Sequence, residues 1–163
     1  VTAAVATAEL DGIRIDAAGA AEVGFVLDSW RRQHRRSRDG YMSIANYRRI
    51  HEPTIRALLD DGATWIVAAY RGERLIGWLA YTAGKLPAVH FAYVRPEERR
   101  RGVFDAMLDK AMIGRRFVYT YRGALPKAGR GKSGVDERVV EALARRGVYA
   151  AFVDVNSWME KRR

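Results

Sequence analysis

Residues 93–104, YVRPEERRRGVF, place three consecutive arginines and a glycine behind an apolar run, AVHFAYV (88–94), which stops just short of Pro96. Behind them FDAMLDKAMI (104–113) continues with helical spacing. The whole reads as a strand, a turn and the opening of a helix. In such a junction the first amide hydrogens of the helix have no intrahelical acceptor and the helix dipole adds partial positive charge, which suits phosphate. Gly102 lets the backbone approach an anion closely, and Arg99, Arg100 and Arg101 raise the local potential. The plainer alternative is a solvated, arginine-rich turn.

Upstream, TWIVAAY (64–70) and RLIGWLAYT (74–82) are β-rich runs joined by a hairpin-like turn, and GIRIDAAGA (12–20) suggests a first strand. Two helical stretches lie between, AAEVGFVLDSWRRQHRR (20–36) and SIANYRRIHEPTIRALLDDG (43–62), the second with Ser43 as N-cap and Pro53 placed to kink or split it. Downstream come RFVYTY (116–121) as a strand, VDERVVEALARRG (135–147) as a helix ending at Gly147, and VYAAFVDV (148–155) as a last strand. The Gly- and Lys/Arg-rich segment 123–135 is expected to be a mobile basic loop. This order predicts an α/β (mixed α+β) domain spanning 1–163. Its central mixed sheet of about six strands has helices on both faces, antiparallel hairpins first and helix-linked parallel pairs later.

A chain of 163 residues with 48% hydrophobic and 29% charged residues is ordinary for one globular core. With no cysteine, disulfides and thiolate chemistry are excluded. His34, His51 and His90 show no ligand spacing, so no metal site is expected. There is no run long enough for a membrane helix and no leader-like start, and a cytoplasmic protein is expected. The formal charge of +10 favours acidic partners without naming one.

The pattern V-x-P-x-x-R-x-x-G at Val94, Pro96, Arg99 and Gly102 resembles the cofactor signature of the GNAT superfamily of N-acetyltransferases, and the order of elements is similar over nearly the whole chain. Ser29–Trp30 and HFAYV (90–94) further resemble small bacteriophage-encoded members, which would place the protein in a host cytoplasm. The resemblance implies acetyl-CoA or another acyl-CoA as cofactor. Tyr93 and Val94 would lie along the pantetheine arm, with Arg99, Arg100, Arg101, Gly102, Val103 and Phe104 around the diphosphate. It departs from the family at Phe104, where a small residue is usual, at Ala88, where many members place a glutamate, and near Leu143, where relatives often carry a tyrosine acid.

Two residues remain as catalytic candidates. His90 is expected on the same strand face as Ala88, placed to act as base, its alternative being a packed histidine. Tyr121 shares an expected strand face with Tyr119 and could donate a proton to a leaving thiol, the alternative being a core aromatic. PKAGRGKS (126–133) imitates a nucleotide-binding loop with Asp154 as its acidic companion, but Pro126 stands where the first glycine belongs and too little chain follows. WRRQHRRSR (30–38), with Arg48, Arg49 and Arg56, could form a patch for an acidic acceptor or nucleic acid, or merely a solvated face.

The expected function is therefore acyl-CoA-dependent N-acetyl transfer to a small-molecule, peptide or nucleobase amine. Alternatives are a catalytically silent relative that binds nucleic acid or protein through its basic face, and a phage nucleobase-modifying enzyme.

Overall fold

The computed structural model describes residues 12–37, 41–121 and 137–162. Strand β1 (Ile13–Ala17) leads into helix α1 (Ala20–His34), whose Glu22 carboxylate accepts the Gly19 N–H at 2.8 Å. The second helical stretch is two helices, α2 (Ile44–Ile50) and α3 (Glu52–Asp60), broken at His51 because Pro53 fits only the first turn of a new helix. Ser43 caps α2 as expected, accepting the Asn46 N–H.

Strands β2 (Thr64–Arg71), β3 (Arg74–Thr82) and β4 (Ala88–Val94) form an antiparallel meander, and β1 pairs with β2. A short 3-10 turn (Pro96–Glu98) and helix α4 (Val103–Lys110) follow, then β5 (Arg116–Tyr119), helix α5 (Glu137–Ala144) and β6 (Tyr149–Phe152). The sheet runs β1-β2-β3-β4-β5-β6, with β4–β5 and β5–β6 parallel, as helical crossovers require. The expected mixed six-stranded sheet is observed.

Two apolar clusters face opposite sides of the sheet. One packs Val103, Met107 and Leu108 of α4 and Leu143 of α5 against Ile15, Leu79, Val89 and Phe117. The other packs Val26 and Trp30 of α1, Tyr47 of α2 and Ile55 of α3 against Trp78, Ala80 and Phe91. Trp30 is the hub of the second, with ring centroids 5.5 Å from Phe91, 5.6 Å from Trp78 and 5.4 Å from Tyr121. The Trp78 indole N–H donates to Ser29 Oγ at 2.8 Å, tying α1 to β3.

Helix α6 (Val155–Glu160) is an addition to the expected elements, and β6 is shorter than the apolar run that announced it. Asp154 is its N-cap, accepting the N–H of Asn156 and Ser157 at 3.0 and 3.3 Å, which explains that carboxylate without any nucleotide. The segment expected to be a mobile basic loop, 123–135, lies outside the described residues. No helix among the described residues is long and apolar enough to cross a membrane.

Candidate active site

Strands β4 and β5 are paired only at Ala88–Val118 and Val89–Tyr119, and the Thr120 N–H makes the last link, to Val89 O at 3.0 Å. Past this point residues 90–94 of β4 have no strand partner on their β5 side among the described residues, leaving an unpaired edge, the slot. The Arg95 N–H donates to Ile76 O on β3 at 2.8 Å. Main-chain groups alternate sides along an antiparallel strand, so those of Ala92 and Val94 point away from β3 into the slot. Those of Tyr93 point back to β3, leaving Tyr93 only its ring, which stands edge-on to Phe25 of α1 with centroids 6.2 Å apart. Gly77 opposite Val94 is required by close approach, since a Cβ there would lie 2.8 Å from Tyr93 O.

The slot ends at the arginine turn. Arg100 (φ 63°) and Gly102 (φ 77°) are both left-handed, and Gly102 is the N-cap of α4 without a side-chain cap. The helix begins its bonding with the Ala106 N–H on Gly102 O at 2.9 Å. Among the described residues, the N–H groups of Arg100, Arg101, Gly102, Val103, Phe104 and Asp105 meet no acceptor. These are the donors a diphosphate needs. The Phe104 ring is half-buried and packs on the cluster beneath α4. Arg99 folds back, its Nε donating to Val94 O at 2.9 Å, so Val94 keeps only its N–H for a guest while Ala92 keeps both groups. Burial lowers the pKa of the Arg99 guanidinium.

His90 departs from the expectation of an available base. Val89 pairs with Tyr81 and Phe91 with Ala80, so His90 is the extra residue of a β-bulge, and period-two counting from Ala88 fails there. The imidazole is fully buried against Trp158 of α6, with centroids 4.6 Å apart. Its Nε2 pairs with Thr82 Oγ1 and its Nδ1 with Thr120 Oγ1, both at 2.9 Å. Burial, with a smaller contribution from the Arg162 charge, lowers its pKa to about 3. A neutral ring with both nitrogens engaged has no lone pair to offer a substrate.

Tyr121 and Tyr119 do not share a face. Strand β5 ends at Tyr119, which packs in the α4 cluster, and the chain then bends to deliver Tyr121 to the α1 cluster. Tyr121 sits beside the mouth of the β4–β5 split, between Trp30 and His34, with its hydroxyl buried and unpartnered. Burial drives its pKa well above the usual phenol value, so it remains protonated at neutral pH. Sequence reasoning treated His34 as a surface cation, but it is buried at the α1 C-terminus with Nδ1 2.8 Å from the Tyr47 hydroxyl. A helical count from Trp30 places it four residues on, along the same inward stripe. Ala88 and Leu143, where the family pattern has a glutamate and a tyrosine, are both buried apolar residues. No cluster of three His, Asp or Glu side chains suited to a metal occurs among the described residues.

No family model matches the chain, and no curated protein sequence matches it. Solved structures do. A possible acetyltransferase from Clostridium difficile 630 superposes with TM-score 0.55 at 15% identity, over 86% of this chain and 91% of that one. The aminoglycoside antibiotic 6'-N-acetyltransferase AAC(6')-Ih from Acinetobacter baumannii gives 0.52 at 14%, over 85% and 90%. RimL, a ribosomal L7/L12 alpha-N-protein acetyltransferase in complex with coenzyme A, gives 0.50 at 18%, over 88% and 81%. The fold is that of the GNAT acetyltransferases. At these identities the likeness is one of architecture, and the chemistry has to be argued from the slot and the turn.

Proposed function

We propose that this chain, acting as one domain, is an acyl-CoA-dependent N-acyltransferase with acetyl-CoA as donor and an amine as acceptor. The observation that carries the reading is the conjunction of an unzipped β4–β5 edge with a turn whose successive N–H groups have no acceptor among the described residues, at the mouth of α4. It is supported by the likeness to RimL, whose structure contains coenzyme A.

Bound acetyl-CoA would supply an acyl group activated as a thioester. The N–H groups of Arg100 to Phe104 hold the diphosphate, with Arg99, Arg100 and Arg101 setting the potential. The main chain of Ala92 and Val94 receives the extended arm as an added strand would be received, and the Tyr93 ring borders it from the α1 side. In the proposed reaction the acceptor nitrogen would attack the carbonyl carbon, the carbon–sulfur bond would break, and the Tyr121 hydroxyl would give its proton to the departing sulfur. The proton lost by the amine would return to the Tyr121 phenolate, so that the step closes with no net proton released. His90 takes no proton. It holds β3, β4 and the residue after β5 together where the slot begins.

Thermal denaturation with increasing acetyl-CoA tests the reading. Ligand at a hundred times its Kd adds about 2.7 kcal/mol of stability, a shift of several degrees. A flat response at millimolar acetyl-CoA overturns it. Where binding is present, release of free thiol with a panel of amines identifies the acceptor.

A second reading, binding of nucleic acid through a basic face, is favoured by one feature. Arg48 and Arg49 stand on exposed positions of α2 without a carboxylate partner among the described residues. Its signature is DNA affinity that falls steeply with salt.

A further inference from the structure

An anion-binding turn should avoid negative charge, yet this one carries two glutamates immediately before its arginines. Glu97 is exposed and pairs with Arg74 of β3. Glu98 is a different case, because it is buried, 5% exposed, two residues before left-handed Arg100. Arg71, the last residue of β2, grips its carboxylate with both arms of the guanidinium, Nε at 3.1 Å and Nη2 at 2.8 Å. Those hydrogen bonds lower the pKa of Glu98, so it is ionised at neutral pH. Arg101 approaches the same carboxylate more loosely, at 3.6 Å.

We propose that Arg71 and Glu98 are positioning residues for the cofactor turn, an inference that rests on the reading of that turn as the diphosphate site. Glu98 is a strut that pins the turn to the end of β2, across 27 residues of sequence, and helps to hold Arg100 in a left-handed conformation that disfavours a residue with a side chain. Arg71 cancels the strut's charge. Without it a bare carboxylate would lie near the turn and would hold Arg101, now only loosely paired with it at 3.6 Å, more tightly.

The two residues are told apart by sign. Calorimetry of acetyl-CoA binding to Arg71→Met is expected to show about tenfold weaker affinity, a loss that shrinks as salt is added. Glu98→Gln keeps the shape and removes the charge, and is expected to bind as well as the wild type or better. The double variant Arg71→Met/Glu98→Gln recovers the part of the loss that salt also removes and keeps the part due to the missing strut. Arg71→Lys, which keeps the charge without the fork, stays near wild type. Acetyl-pantetheine, which lacks the diphosphate, binds all of these alike. The proposal is overturned if Arg71→Met binds acetyl-CoA like the wild type, or if Glu98→Gln loses as much as Arg71→Met and the double variant recovers nothing. A wild-type protein that does not bind acetyl-CoA overturns the cofactor reading and this inference together, whereas wild-type binding with an indifferent Arg71→Met removes this inference alone.

Discussion

Two arginine-rich stretches look alike in the sequence and behave differently in the fold. In the first, at the end of α1, Arg31 is held by Asp28 at 2.9 Å and Glu52 at 3.3 Å, Arg32 also pairs with Asp28, and His34 points inward. In the second, at residues 99–101, Arg99 is spent on a backbone carbonyl, Arg101 has only a loose contact with Glu98, and Arg100 has no ion pair among the described residues. The first run is only partly neutralised, since Arg35 and Arg36 have no carboxylate partner among the described residues, but its inner face serves the core. The second surrounds main-chain donors that meet no acceptor among the described residues. Charge counting alone cannot separate them; the difference lies in the counter-ions and in the backbone beneath.

Four perturbations test this contrast. The largest effect is expected at Trp30, whose removal from the ring cluster of Trp78, Phe91 and Tyr121 in Trp30→Ala should cost roughly 3–5 kcal/mol in urea denaturation. A loss under 1 kcal/mol would mean that the first run is not core-directed. Next, Gly102→Pro is incompatible with φ 77° and should weaken acetyl-CoA binding by about a hundredfold or more while circular dichroism is unchanged. Retained affinity in a folded variant would show that the turn is not the diphosphate site.

The third concerns acid. His34 and His90 each have a pKa lowered by burial to about 3. Above pH 6.5 the imidazoles are neutral whether the chain is folded or not, so stability is fully present. As pH falls from 6.5 towards 3, the unfolded chain takes up protons that the native state refuses. Stability then declines by up to about 1.4 kcal/mol per pH unit for each histidine. Urea midpoints measured from pH 7.5 to 4.5 check the slope, and His90→Gln should reduce it. The smallest effect is expected at the exposed arginines of α2, where Arg48→Ala and Arg49→Ala should each change stability by no more than about 0.5 kcal/mol. Larger losses would point to a partner for them that a solvated face does not have.

The central meander and the turn after it were legible in the sequence because β-rich apolar runs separated by short turns in residues 64–94, then Pro96 and Gly102, punctuate the chain unambiguously. Helix α6 was missed because it has six residues, although Asp154 followed by Val155, Trp158 and Met159 carries a cap and an apolar stripe. The role of His90 was unreadable since a β-bulge leaves no mark on composition. The faces of Tyr119 and Tyr121 were mistaken for one because period-two counting assumes a strand that had already ended. Arg71 and Glu98 meet only through the folded sheet, so nothing in either one's neighbourhood announced the other.

The Thr82–His90–Thr120 chain of hydrogen bonds joins β3, β4 and the residue after β5 just where β4 and β5 separate. It therefore works as the spine of a half-opened book: pages may spread above it, while the binding stays shut. Under the proposed reading, these bonds set from below how far an acyl group could enter between the two strands.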